Sequence, residues 1–423
     1  MNIGIIGVNG FIGKSLYFSF CQQSYQLTGF SRKKIPGINW RELDFSQSVD
    51  SWLNQLKHLD VVINASGIYK ETRDNRFSDV HTTGPVKLFE ACIKLNIRVI
   101  QISAIGAEKE VPTTEFLQSK RIADQYLLCS NTSQVVLYPG IVLGEGGAST
   151  KQLCLLARLR VIPVISAFRQ PLPVISIYQL VEFINQILFN WPEKSISSVL
   201  LSKPEKLQYT LENLRRWMGL NNKWFLKIYL PDWLLSFIFL ILPNLSIGLF
   251  NKQSMNMLSD YQSSGSSKKY NKYIKYETDE SLPASQSLAK FNASDDFIKD
   301  GKLKILSCFN VLSLSLIWCG SGISSLINMK ISRELVEMLG INQGYSDPLI
   351  ITAAIADIIL GLLIWVKRYR RIIVYVQIAF MLVYSFLITL FLPVFWLHPF
   401  APVLKNISMF VLAMYLLVDE GKG

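Results

Sequence analysis

The chain of 423 residues predicts a doubly wound α/β domain followed by an all-α transmembrane four-helix domain. Three observations predict it. IGIIGVNGFIGKSL, residues 3–16, joins an apolar strand to a helix start through a glycine-rich turn. Short apolar strands then recur as far as residue 138, with helical stretches between them. Beyond Lys304 the sequence changes in kind, and long apolar runs dominate.

Composition supports two unlike halves. Half of the residues are hydrophobic and the mean hydropathy is +0.27. The net charge of +12 gathers in three places. Arg32, Lys33 and Lys34 follow a predicted strand, and Lys367, Arg368, Arg370 and Arg371 separate two apolar runs. Lys268, Lys269, Lys272 and Lys275 lie in a polar stretch. Basic flanks beside apolar spans are a membrane signature, so no nucleic-acid partner is expected. The six cysteines have no C-x-x-C spacing and there are only three histidines, so no metal site is expected. The first residues enter a buried-strand pattern directly, and the N-terminal half is expected to stay in the cytoplasm.

In the first half, Gly7, Gly10 and Gly13 each have a role. One permits the bend, one admits a pyrophosphate, and one lets the helix pack tightly on the strand. Asn9, Phe11 and Ile12 fill the turn between them. Leu27–Phe30 is the second strand, and it emerges into Arg32. An acidic residue there would accept from a ribose hydroxyl, whereas Arg32 suits a 2′-phosphate, so NADP(H) is expected rather than NAD(H). A solvated turn is the plainer alternative. Asp44 is placed to border an adenine. Residues 59–67 make a buried strand ending in Ala65, Ser66 and Gly67. Residues 97–103 make another, with Ser103 at its C-terminal end, where open α/β sheets carry their sites. Gln134–Tyr138 is a further strand, and Tyr209–Trp217 reads as an amphipathic helix stopped by Gly219.

GVNGFIG, NASG, VIQISAIG, FLQSK and LYPGIVLGEGG, in that order, resemble the short-chain dehydrogenase/reductase superfamily. They are most similar to its atypical branch, related to the NADPH-holding accessory subunit of respiratory complex I. The resemblance covers residues 1–220 and implies a Rossmann domain. It implies that Gly7, Gly10, Gly13, Arg32, Asp44 and Ala65–Gly67 line NADP(H). It also implies that Lys120 meets the nicotinamide ribose and that the segment from Pro139 to Val142 closes over the nicotinamide.

Working members of that superfamily join a Ser, a Tyr and a Lys into one acid–base device. Ser103 and Lys120 match, but the residue four before Lys120 is Phe116, which has no proton to give. His81 is one candidate substitute, with an intrinsic pKa near neutrality, or else a structural histidine that supports the strand ends. Tyr69, just after NASG, is another, or else a packing aromatic.

Residues 221–258 are expected to be an interfacial segment, with an apolar run at 228–242 broken by Pro243, and residues 259–303 a polar linker. Four spans are then expected, at 305–327, 349–366, 372–391 and 402–418. Ser and Gly in the first favour close packing, and a short surface helix is expected at 334–340. The second half, from residue 304, resembles the DoxX-like membrane family through LIWCGSGISSLI, ADIILGLLIW and WLHPFAPVLKN. Asp357 and Lys405 fall within or near spans and are paired in this reading. The basic loop at 367–371 puts that side, both termini and the α/β domain at the cytoplasmic face of the inner membrane. Tryptophan-bearing residues 396–399 then anchor the other interface.

The expected activity is a membrane-anchored NADP(H)-binding oxidoreductase acting on a small or lipid-soluble carbonyl or a quinone. The alternative is a cofactor-holding scaffold or redox sensor. A homo-oligomer or membrane partner is compatible with either.

Overall fold

The computed structural model describes residues 1–69, 71–72, 75–164, 171–203, 205–220, 225–229, 231, 282–338, 340–396 and 402–420. Most of the expected interfacial run at 228–242, the lysines at 268–275 and the turn at 397–399 lie outside the described residues. The chain forms two compact units, which divide after Ile298.

The first unit is built on a seven-stranded parallel sheet. Its strands are β1 (Asn2–Ile6), β2 (Gln26–Ser31), β3 (Trp40–Glu42), β4 (Val61–Asn64), β5 (Arg98–Ile102), β6 (Val135–Pro139) and β10 (Ile196–Leu200). They lie in the order β10-β6-β5-β4-β1-β2-β3. The chain winds outward in both directions from the β1–β4 pair, so the crevice for a dinucleotide opens beyond Ile6 and Asn64. The central strands are buried on both faces, as a parallel sheet requires. On one face they pack α1 (Phe11–Phe20) and α6 (Ile177–Phe189). On the other lie α2 (Val49–Leu56), α3 (Gly84–Lys94) and α4 (Glu115–Leu128).

Local signals place the helix starts. Thr114 caps α4 by accepting from Leu117 N–H, and Ser176 and Gln179 form a reciprocal capping box on α6. A second lobe packs α5 (Ala148–Leu159) on α7 (Leu207–Trp217), beside the short pair β7 (Ile141–Leu143) and β9 (Val174–Ser176), and β8 (Val161–Val164) pairs with Leu226–Tyr229. Gly219 follows α7 with φ +72°, the left-handed stop expected of it.

The polar linker expected as far as residue 303 is corrected here. From Leu282 the chain is folded into the first unit: α8 (Ala284–Ala289) docks on the second lobe, with Ala284, Leu288, Ala293 and Phe297 buried in its core. The segment reads as polar because its serines bond inward. Ser285 N–H and Oγ both donate to the Glu205 carboxylate, Asn213 donates to Ser285 Oγ at 2.9 Å, and Ser176 donates to Ser287 at 3.1 Å. Buried polar groups paired in this way stabilise a dock that hydropathy alone does not reveal.

Among its described residues the second unit is helical. α9 (Asp295–Ile327), α11 (Gln343–Leu363) and α12 (Arg370–Phe391) contain three segments long and apolar enough to cross a membrane; α13 (Pro402–Glu420) is apolar over 403–418 but shorter. The short helix α10 runs over Met329–Met338, a few residues earlier than expected. Small residues bring α9 and α11 close, as the sequence predicts. A Cβ on Gly322 would lie 2.5 Å from Ala354 O, and one on Gly361 would lie 2.6 Å from Cys319 Sγ. Ser315 Oγ donates to Gly361 O at 2.7 Å across the same seam. The expected Asp357–Lys405 pair is replaced by nearer partners. Ser321 donates to Asp357 at 3.1 Å with Tyr384 beside it, while Lys405 is exposed.

Candidate functional site

The glycine turn after β1 has the geometry of a phosphate cradle. Gly7 takes φ +79°, and a Cβ there would stand 3.0 Å from the backbone of Ser66. A Cβ on Gly13 would fall 2.3 Å from Gly7 O, so only glycine allows α1 to start this close to the strand. Gly10 precedes α1 with no side-chain cap, leaving the first N–H groups of the helix for an anion. Asn9 and Gly10 are exposed, and Phe11 and Ile12 are half-buried. Phe11 is covered by the Gly144–Gly147 loop, where a Cβ on Gly144 would come within 2.8 Å of the ring. These features fit a dinucleotide.

At the end of β2, Ser31 turns inward, donating to Lys33 O and accepting from Trp40 Nε1. Among the described residues, Ser31 and Arg32 stand at the end of β2, where an acidic residue would meet a ribose hydroxyl. Arg32, directly after β2, is exposed and donates to Asn75 Oδ1. Asp44, expected to border an adenine, lies just beyond β3. It is exposed, and its carboxylate accepts from Ser46 N–H and Oγ at 2.8 Å each, bonds that hold it below the usual carboxylate range. It closes a turn.

Across the sheet edge, the predicted chemistry-bearing residues do converge. A Cβ on Gly67 would lie 3.5 Å from Lys120 Nζ and 3.6 Å from His81 Nε2. Lys120 is buried, donates to Ile102 O at 3.3 Å, and sits below the usual lysine range because burial disfavours its charge. Ser103 follows β5 with its N–H on Leu137 O. Pro139 ends β6 as a buried residue, and Val142 lies half-buried on β7.

His81 is fully engaged by the protein. Its Nε2 accepts from Ile68 N–H at 3.0 Å, and its Nδ1 meets Ser119 Oγ at 3.0 Å. Ser119 Oγ donates to Phe116 O at 2.8 Å, so the histidine must be the Nδ1–H donor and neutral. Burial, with Lys120 nearby, pushes its pKa down to about 2. Of the two readings of His81, these bonds favour the structural one, a brace for the loop after β4.

Phe116 is buried in an aromatic cluster. Its ring meets Phe77 and His81 edge-on, with Lys120 Nζ 5.8 Å from its centroid. Tyr69, 67% exposed, stacks flat on it at 5.6 Å and 9°. The structure therefore carries a phenol over the ring that lacks one.

One residue escaped the sequence reading. Asp124, four after Lys120 on the same face of α4, is fully buried and bonds Ser103 Oγ and Gln101 Nε2. Its pKa is pushed up to about 6 by burial, against the lowering pull of those bonds and Lys120. The i, i+4 spacing from Lys120 was the available signal.

Comparison with known proteins gives the class. Residues 3–132 match the NAD dependent epimerase/dehydratase family, and residues 315–414 match the DoxX-like family. The chain thus joins a parallel α/β domain similar to the NAD dependent epimerase/dehydratase family to a helical domain similar to the DoxX-like family. Among curated proteins it is 26% identical over 172 residues to the "Ceramide reductase" of Caulobacter vibrioides (strain NA1000 / CB15N), a match covering 39% of this chain and 54% of that protein. Only about half the length of that relative is therefore spanned. Among solved structures it resembles a UDP-N-acetylglucosamine 4-epimerase from Bacillus cereus, at 16% identity and TM-score 0.45, covering 54% of this chain and 86% of that one. It also resembles the Helicobacter pylori ADP-L-glycero-D-manno-heptose-6-epimerase, at 18% identity and TM-score 0.46, covering 54% and 85%.

Proposed function

We propose that this protein is a membrane-anchored, NADPH-dependent reductase acting on a carbonyl carried by a lipid. The observation that carries the reading is the convergence of Lys120, Ser103 and Gly67 beyond the cradle built by Gly7, Gly10 and Gly13. Bound there, the nicotinamide supplies hydride. Gly7 and Gly10 admit the pyrophosphate, Ala65, Ser66 and Gly67 flank the dinucleotide, and Lys120 orients the nicotinamide ribose. Pro139 and Val142 would border the nicotinamide. Arg32, already held by Asn75, favours the 2′-phosphate of NADPH over the bare ribose of NADH.

Two features support a lipid substrate. The soluble domain is joined to helices that belong in a bilayer, and a relative of this chain is named for reducing ceramide. The basic turn before α12 supports a cytoplasmic site at the inner membrane, where NADPH is available. At the start of α12 Arg370 folds inward onto Ile364 O, which leaves Lys367, Arg368 and Arg371 for the interface.

The test is consumption of NADPH by the purified full-length protein, presented with detergent-dispersed long-chain ketones and quinones. Carbonyl-dependent oxidation that disappears in Lys120→Ala is expected. Phe116 favours the competing reading of a cofactor-holding scaffold, because the usual acid is absent. Tight retention of NADPH with no turnover across that panel establishes the scaffold and refutes the reductase.

A further inference from the structure

Beneath the candidate site runs a line of polar side chains that the cofactor does not need. Asn64, Gln101 and Asp124 are 1%, 2% and 0% exposed, in a region otherwise packed with aliphatic and aromatic groups. Ser66 Oγ donates to Asn64 Oδ1 at 2.6 Å, Asn64 Nδ2 to Gln101 Oε1 at 2.8 Å, and Gln101 Nε2 to Asp124 Oδ1 at 3.1 Å. The two amides are locked in orientation by this sequence of bonds. Only the far end can change state, where Asp124 Oδ2 meets the Ser103 hydroxyl. Ionised, Asp124 accepts from Ser103. Protonated on Oδ2, it donates to Ser103, which frees the serine hydrogen from this bond.

We propose that Asp124 stores the proton for carbonyl reduction and passes it through the Ser103 hydroxyl, in place of the phenol that Phe116 lacks. The proposal rests on the reductase reading above. The carbonyl carbon gains a C–H bond from the nicotinamide hydride, which carries two electrons and leaves the nicotinamide oxidised. The C=O π pair moves to oxygen, and that oxygen takes the Ser103 proton while Ser103 takes the Asp124 proton. The remaining carboxylate is reprotonated from water after the alcohol leaves. Asp124 is faced by Lys120 and Arg121 on its own helix, by Gln101 and Ser103 from the β5 edge, and by Tyr138 from β6. The Lys120 ammonium stabilises the carboxylate left by the transfer. His81, held neutral, does not compete for the proton.

Ser103 is the catalytic residue in this scheme and Asp124 acts through it, so the test needs a readout beyond rate. The infrared signal of the protonated carboxyl is followed against pH in the full-length protein without nucleotide. Asp124→Asn should remove a component titrating near pH 6. Ser103→Ala should keep that component and move its midpoint upward, because the lost hydrogen bond favours the charged form. In turnover, Asp124→Asn should lower kcat by about 100-fold with the Kd for NADPH unchanged, as expected for loss of proton transfer. Full turnover in Asp124→Asn overturns the relay, as does a loss matched by weaker cofactor binding. If Asp124→Asn does not fold, an unmoved midpoint in Ser103→Ala overturns it instead. A wild-type protein that turns over no carbonyl refutes the reductase reading itself, whatever the titration shows.

Discussion

His81 and Asp124 should push the acid stability of the α/β domain in opposite directions, and single substitutions should separate them. His81 has a folded pKa of about 2 against an ordinary value of 6.5, so below 6.5 the unfolded chain binds a proton that the folded protein refuses. This penalty is absent at neutral pH and grows as pH falls. Asp124 has a folded pKa of about 6 against 3.8, so the folded protein takes up a proton first. Its contribution appears as pH falls through 6 and is complete near 3.8. Between about pH 6 and about pH 4.5, linkage gives about 2 kcal/mol of destabilisation from His81 and about 1.5 kcal/mol of stabilisation from Asp124. The wild-type slope from this pair is nearly flat. His81→Gln should therefore gain about 2 kcal/mol relative to wild type across that window, and Asp124→Asn should lose about 1.5 kcal/mol. Only the change with pH is compared, so the constant cost of each substitution drops out. The assay is native-state hydrogen exchange of peptides covering β4 and β5 in the detergent-solubilised protein, which reads the stability of this sheet alone. Variant and wild-type curves that stay parallel from pH 6 to 4.5 would refute the assignment of a neutral, buried His81 and a proton-holding Asp124.

Three further outcomes follow from the site. Gly13→Ala places a methyl 2.3 Å from Gly7 O, so the phosphate turn must move; NADPH affinity should fall at least about tenfold by fluorescence titration, with about 1–3 kcal/mol lost from the domain. Arg32→Glu puts repulsion where a 2′-phosphate is expected, and the ratio of NADPH to NADH affinity should fall by about 10–100-fold in paired titrations. Phe116→Tyr adds a hydroxyl inside the cluster formed by Tyr69, Phe77, His81 and Lys120. If Asp124 already supplies the proton, turnover should change by less than about tenfold. A gain of about 100-fold or more shows that the pocket lacked only its acid.

Much of the first unit was legible because its signals are local. The glycine turn, the apolar strands and the end of β5 at Ser103 each follow from a few adjacent residues. The edge strands β3 and β10 were not found. Trp40-Arg41-Glu42 is short and half-exposed, and Ile196–Leu200 carries two serines, so neither shows the apolar run of a central strand. The docking of 282–298 was hidden for a related reason, since its buried serines count as polar until Glu205 and Asn213 are seen beside them. In the site, Ser103 was legible from the end of its strand, and Lys120 from the resemblance of FLQSK to the superfamily's acid–base motif. The state of His81 was not, because it depends on Ile68 and Ser119, which reach it from 13 and 38 residues away. The partners of Asp357 depend likewise on which faces of α9, α11 and α12 meet, and sequence spacing does not specify that.

The central claim is hydride transfer from the cofactor to a lipid carbonyl, and isotope transfer tests it most directly. The full-length protein in liposomes is given NADPH deuterated at nicotinamide C4, once on each face, together with long-chain ketones. Mass spectrometry should find one deuterium on the carbinol carbon of the lipid product, from one face only, and none in Lys120→Ala. Deuterium that stays wholly on the nucleotide, while the protein holds it at one per chain, contradicts the account.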